Sequence, residues 1–295
     1  MRHHETLILG GGTAGIMTAA QLRKREPSID IGLIEPSADH YYQPAWTLVG
    51  AGTYDYETTR RDMADLIPSG VDWIRHRAEH IDAGQRTVRL DDDTEVGYDI
   101  LVVATGLVMD LSLIDGLEES LGTGVVCSNY TDPEHTWQVL RDFKGGNAVF
   151  TQPTTPIKCG GAPQKIAYLA ADRFRREGIA DASNVVFATP GSVIFGVKQV
   201  AKTLMEVIHR YGIHFKPFYA PVKHTAHPNI FGLGDVAALP TAKTGAAVRK
   251  QVPVVVENIL RVRAHETALN DDYQGYSSCP LVTGYGKMVL AEFNY

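Results

Sequence analysis

The fold is decided by Thr6-Leu7-Ile8-Leu9-Gly10-Gly11-Gly12-Thr13-Ala14-Gly15. A short apolar run, as expected of a buried parallel strand, meets a glycine cluster. A helical pattern follows over Ala14–Lys24, with Ile16, Ala19, Ala20 and Leu22 on one face and Pro27 ending it. Ile31–Ile34 reads as the next strand and stops at Glu35, twenty residues past Gly15. This is G-x-G-x-x-G in its working context. Gly10 allows the tight turn, Gly12 lets a pyrophosphate approach the backbone, and Gly15 lets the helix pack close. The helix N-terminus offers free N–H groups to phosphate. The Glu35 carboxylate is placed to accept from ribose hydroxyls.

Outward from that unit, strands are expected at Thr87–Leu90 and Tyr98–Ala104, with Asp91, Asp92 and Asp93 in the turn between them. Later strands are expected at Asn147–Phe150, Val185–Ala188 and Asn229–Leu233. Helices are expected over Pro163–Arg175, Val197–Arg210 and Thr241–Arg263. The middle one carries Val197, Val200, Ala201, Leu204, Met205 and Ile208 at helical spacing. Alternating strands and helices mean an α/β fold with a parallel sheet.

Two further strand ends distinguish FAD from NAD. Leu101–Val103 runs into Ala104-Thr105-Gly106, and Asn229–Leu233 runs into Gly234-Asp235. This pair, in this order, resembles flavoproteins with two dinucleotide-binding domains. There the Gly-Asp carboxylate holds the ribityl chain of FAD, and Ala-Thr-Gly marks the crossover to the second domain. Asp235 as a helix cap is the bland alternative. A second glycine fingerprint is sought after Val185–Ala188. Only Gly191 and Gly196 stand there, among bulky residues and Pro190, so no nicotinamide cofactor is expected.

The chain has 295 residues, a net charge of −6 and three cysteines. That charge argues against broad nucleic-acid binding, and three cysteines exclude a disulfide scaffold. No metal-binding motif and no spanning apolar run is present. The N-terminus carries no leader pattern, so a bacterial-type cytoplasmic location is expected, with peripheral membrane contact left open. Cys159, in Lys158-Cys159-Gly160-Gly161-Ala162-Pro163, precedes a helix and follows a lysine, so its thiolate should be favoured. Cys279, in Ser278-Cys279-Pro280, is read as a loop residue, and Cys127, after two valines, as a packing residue.

Together, the glycine turn, His40-Tyr41-Tyr42-Gln43-Pro44, Leu48–Gly52, Ile67–Val71, Pro156–Lys165, Ile194–Lys198, Leu239–Thr244 and Ser278–Tyr285 resemble sulfide:quinone oxidoreductase, in the branch with the mitochondrial enzymes. The resemblance implies two Rossmann-like domains of the flavoprotein disulfide-reductase type, the second one shortened between Phe215 and His227. Residues 1–115 and 227–268 would form the FAD domain. Residues 116–226 would form the second domain, and 269–295 a C-terminal segment bearing the second redox cysteine. FAD would be held by Gly10, Gly12, Gly15, Glu35, Gln43, Thr105, Gly106, Gly234 and Asp235.

The resemblance further implies that Cys159 and Cys279 form a redox pair, bridged directly or through an extra sulfur. Hydrosulfide would leave a persulfide on Cys279, and two electrons would pass by way of Cys159 to FAD and on to a quinone. A thiol, sulfite or sulfide would take the sulfur. By analogy with related flavoproteins, Lys243 would stabilise the reduced flavin. The enzyme would sit peripherally on the inner membrane, and a homo-oligomer stays open. The competing readings are an NAD(P)H-dependent flavin dehydrogenase and a shortened, non-catalytic flavoprotein.

Overall fold

A computed structural model describes residues 1–114, 116–153, 157–189, 191–217, 230–233, 243–266, 270, 273 and 275–293. The chain begins with β1 (Arg2–Leu9), α1 (Thr13–Arg25) and β2 (Ile31–Ile34). A small hairpin of β3 (Asp39–Tyr41) and β4 (Arg60–Asp62) encloses α2 (Trp46–Gly50) and is followed by α3 (Met63–Leu66). Next come β5 (Val71–Ile74), β6 (Ala78–Asp82), β7 (Thr87–Leu90) and β8 (Glu95–Val103). Strands β5, β2 and β1 lie side by side and parallel, and β8 pairs parallel to the free edge of β1.

The far edge of β8 is divided. Antiparallel β7 takes its first half, while parallel β12 (Ile230–Gly232) takes Leu101 to Val103. Side chains of the central strands alternate between two cores. Ile8, Leu33 and Val102 face the core shared with α1 and the long helix Gly245–Arg263. Leu7, Leu9 and Leu101 face the opposite core with Val88 and Tyr98. Burial on both faces explains why these strands read as unbroken apolar runs.

The second sheet follows α4 (Leu117–Ser120) and α5 (Pro133–Asp142). It is built from β9 (Gly146–Thr151), α6 (Ala162–Arg176), β10 (Ser183–Thr189), α7 (Lys198–Tyr211) and β11 (His214–Pro217). The parallel order is β11-β10-β9, the same third-second-first wind as β5-β2-β1. Helix α6 is buried along nearly its whole length, with Tyr168, Leu169 and Phe174 in the core beside Phe187 and Leu204. Helix α8 (Gly245–Arg263) opens on Thr244, whose Oγ1 accepts from the Ala247 N–H at 3.0 Å. The first residues of the expected helix 241–263 lie outside the described residues.

The chain then forms an antiparallel hairpin, β13 (Ser277–Gly284) with β14 (Lys287–Phe293). This corrects the loop reading of Cys279. Ser277, Cys279, Leu281 and Thr283 are buried, while Pro280 between them points outward. Alternation of period two makes the segment a strand, and a proline is tolerated in so small a sheet.

Candidate active site

The glycine turn connects β1 to α1. Gly10 has φ +102, in the left-handed region, and a Cβ there would lie 2.5 Å from the Ala104 carbonyl oxygen. Only glycine fits. The same contact brings Ala104 and Thr105, just past the end of β8, against Gly10. At Gly12 a Cβ would meet nothing within 4 Å, so the space over the start of α1 is open. No side chain caps that helix end and no acidic residue stands in its first turn. Glu35 is at the mouth: Oε2 accepts from the Gly11 N–H and Oε1 from the Ser37 N–H, each at 2.8 Å. An open cradle, uncapped N–H groups and a carboxylate at the strand end fit the adenosine pyrophosphate of FAD. Gly234 and Asp235, expected at the ribityl chain, lie outside the described residues.

The second cluster gathers around the start of α6. Cys159 Sγ and Cys279 Sγ lie 3.0 Å apart although 120 residues separate them in the chain. That is closer than ordinary contact and about 1 Å longer than a covalent S–S bond. Cys159 is in the left-handed region at φ +57, and its N–H donates to the Lys243 carbonyl at 2.6 Å. Lys243, expected through its side chain, is thus tied to the cysteine loop through its backbone. Gly161 lets the strand approach, since a Cβ there would stand 3.0 Å from Cys279 Sγ and overlap Leu281.

The two thiols are inequivalent. A hydrogen bond from Cys279, then the positive charge of Lys165 and the Gly161 N–H, outweigh burial and hold Cys159 down to about 6 from an ordinary 9.0. Cys279 is pushed up, because it hydrogen-bonds to Cys159, is buried and faces the Cys159 charge. One sulfur carries the negative charge and the other keeps the proton. Burial pushes the Cys127 thiol up as well.

The cation at the thiolate is not the one expected. Lys158 turns away, and its Nζ donates to Gln43 Oε1 at 3.0 Å, joining the 40–44 motif to the cysteine loop. Lys165 supplies the charge, with Nζ 3.7 Å from Cys159 Sγ and its residue only 9% exposed. Adjacent residues point apart, whereas one set a turn into the following helix looks back toward its N-terminus. A lysine within an otherwise apolar helix face was the available signal for it.

The structure also corrects where a second fingerprint belongs. It would follow β9, the first strand of the second wind, not β10, because the dinucleotide turn opens the first βα unit. In the sequence, residues 152–161 follow β9. Their only glycines are Gly160 and Gly161, and the helix N-terminus behind them faces Cys159 and Cys279.

The sequence pattern of the pyridine nucleotide-disulphide oxidoreductases matches residues 4–141. The mitochondrial sulfide:quinone oxidoreductase of Mus musculus is 35% identical over 354 residues, covering 99% of this chain and 78% of the relative. With 295 residues in this chain, at least 59 positions of that alignment carry none of its residues, so the chain is shorter than this relative. The mitochondrial sulfide:quinone oxidoreductase of Dictyostelium discoideum is also 35% identical, over 98% of this chain and 77% of its own. The solved sulfide:quinone oxidoreductase of Aquifex aeolicus has the same fold, with a TM-score of 0.77 at 21% identity over 99% of this chain and 84% of that one.

Proposed function

The chain belongs to the sulfide:quinone oxidoreductase family, and we propose that it oxidises sulfide at Cys159 and Cys279, with FAD as cofactor and a quinone as electron acceptor. The observation that carries the proposal is the 3.0 Å approach of two inequivalent sulfurs at a helix N-terminus.

The inequivalence sets the direction of attack. In thiol–disulfide exchange the sulfur with the lower thiol pKa leaves faster. Lys165, with Nζ 3.7 Å from Cys159 Sγ, and the Gly161 N–H favour a thiolate on Cys159 and make it the better leaving group. When the two sulfurs are bridged, hydrosulfide attacks on the Cys279 side. A new S–S bond forms there, the bridge breaks, and the electron pair leaves on Cys159. The product is a persulfide on Cys279 and a thiolate on Cys159. FAD, when bound, supplies the acceptor for that electron pair and relays it to the quinone. Gly10, Gly12, Gly15, Glu35, Thr105 and Gly106 would hold the cofactor, with Gln43 bracing the cysteine loop through Lys158. A thiol, sulfite or sulfide then removes the sulfane sulfur and regenerates the pair.

No helix among the described residues is long and apolar enough to cross a membrane. A peripheral seat on a membrane surface suits an enzyme whose acceptor dissolves in lipid.

The experiment is anaerobic mixing of the flavin-loaded protein with sulfide or with NADH, following loss of the yellow colour. Bleaching by sulfide alone is expected. Cys159→Ser and Cys279→Ser should each slow it by orders of magnitude, because residues acting as a unit fail together. Bleaching by NADH, or a wild-type rate in Cys159→Ser, would overturn the reading.

A further inference from the structure

Asp172 is a carboxylate only 4% exposed, on α6, thirteen residues beyond Cys159. The chemistry above does not use it. Its Oδ1 accepts from the Tyr211 hydroxyl at 2.9 Å, and its Oδ2 accepts from the Tyr285 N–H at 2.8 Å. Arg176 lies 3.1 Å away and Lys287 Nζ 3.6 Å away. Burial opposes the charge, but Tyr285, Tyr211, Lys287 and Arg176 outweigh it and hold the carboxyl below its usual range.

Two of these partners, Tyr285 and Lys287, are at the tip of the β13–β14 hairpin. The tip is held by more than the carboxylate. Arg176 donates to the Tyr285 carbonyl at 3.3 Å and stacks over its ring at 4.4 Å. Gly284 sits so close that a Cβ there would fall 3.1 Å from the Asp172 carboxyl carbon. The other end of β13 rests on the start of α6, where Cys279 touches Gly161.

The two spans match. Gly161 to Asp172 is eleven residues of helix, about 16 Å at ~1.5 Å each. Cys279 to Gly284 is five residues of strand, again about 16 Å at ~3.3 Å each. The strand therefore lies along the helix with one end on the cysteine loop and the other on the carboxylate.

We propose that Asp172 is a positioning residue: by anchoring the hairpin tip it sets the register of β13 along α6 and so brings Cys279 to Cys159. A slip of one residue would move Cys279 by ~3.3 Å and turn it to the opposite face. The inference rests on the reading of Cys159 and Cys279 as the reacting pair. Its test does not depend on turnover.

The test is the pH profile of iodoacetamide alkylation at Cys159 in the reduced protein, read by peptide mass. Among the described residues, the titratable groups facing Cys159 are Cys279 and Lys165. The wild-type midpoint is expected near 6. In Asp172→Ala the Cys279 thiol loses its hold on Cys159, and the midpoint should rise by about one pH unit or more. Asp172→Asn should raise it less. Removing a negative charge alone would act in the opposite sense and lower the midpoint, so the direction separates positioning from field. Val88→Ala, a buried truncation in the first sheet, should lower the melting temperature and leave the midpoint alone. A folded Asp172→Ala protein with an unchanged or lowered midpoint overturns the proposal. If that variant does not fold, an unchanged midpoint in Asp172→Asn does so. Absence of sulfide-driven bleaching in the wild type would instead refute the functional reading and leave this register test standing.

Discussion

The turn before α1 and the turn before α6 occupy the same place in two similar winds. Each follows the first strand of a parallel third-second-first set, and each opens a helix that no side chain caps. Both therefore carry a partial positive charge. The N–H groups left for an anion are those at the start of α1 and, at α6, the Gly161 N–H toward Cys159. The Ala162 N–H donates to the Cys159 carbonyl, and Pro163 has none. They differ in what stands before those groups. At α1 there is glycine and open space, which suits an extended phosphate ligand. At α6 there are two sulfurs and a buried lysine 3.7 Å from one of them. A helix N-terminus thus specifies an anion, and its surroundings decide which anion. In the second wind the place of a pyrophosphate is taken by a thiolate.

The largest effect expected from breaking this contrast is at Gly12. A Cβ there meets no protein atom within 4 Å, so Gly12→Val should fold yet lose its flavin by blocking the phosphate approach. Circular dichroism of native type together with absent flavin absorbance is the expected pair of readings. Stoichiometric flavin in that variant would remove the cradle from the argument.

Next in size is Lys165. A cation this close favours a thiolate by about 1–3 pH units. Lys165→Met should raise the alkylation midpoint of Cys159 by that much from about 6. The sign is fixed, because alkylation follows the thiolate fraction and so rises with pH through the midpoint. Lys158→Met, which removes a hydrogen bond to Gln43 instead, should move the midpoint far less. Equal shifts in the two variants would undo the distinction between adjacent and helical lysine.

The smallest effect belongs to Cys127. Its thiol is held protonated by burial, and Cys127→Ser should cost about 1–3 kcal/mol of stability through an imperfectly satisfied hydroxyl. Sulfide-driven bleaching should stay within a factor of two or so of wild type, since no reacting group is removed. A dead Cys127→Ser protein would reassign the redox pair.

Much of the fold was legible because its signals are local. The Gly10–Gly15 turn, the apolar strands and the stripe on α7 each span a few residues with a fixed period. Helix α6 begins at Ala162, one residue before the expected start, because Pro163 belongs in a first turn. The Cys279 segment was misread for the opposite reason. Pro280 and Gly284 carry strong loop signals, but pairing with β14 and burial against α6 decide its state.

The sequence by itself determined the dinucleotide turn, the parallel α/β architecture and the two cysteines with chemistry to offer. Each follows from residue types at short spacing, where backbone sterics and helix ends act. Only the tertiary structure decided that Lys165 rather than Lys158 faces Cys159, that Cys279 comes to 3.0 Å from Cys159, and that Asp172 holds the far end of the Cys279 strand. Those facts join residues 6, 120 and 113 positions apart. The direction of a side chain and the register of a strand on a helix are set by what packs against them, which no local pattern encodes.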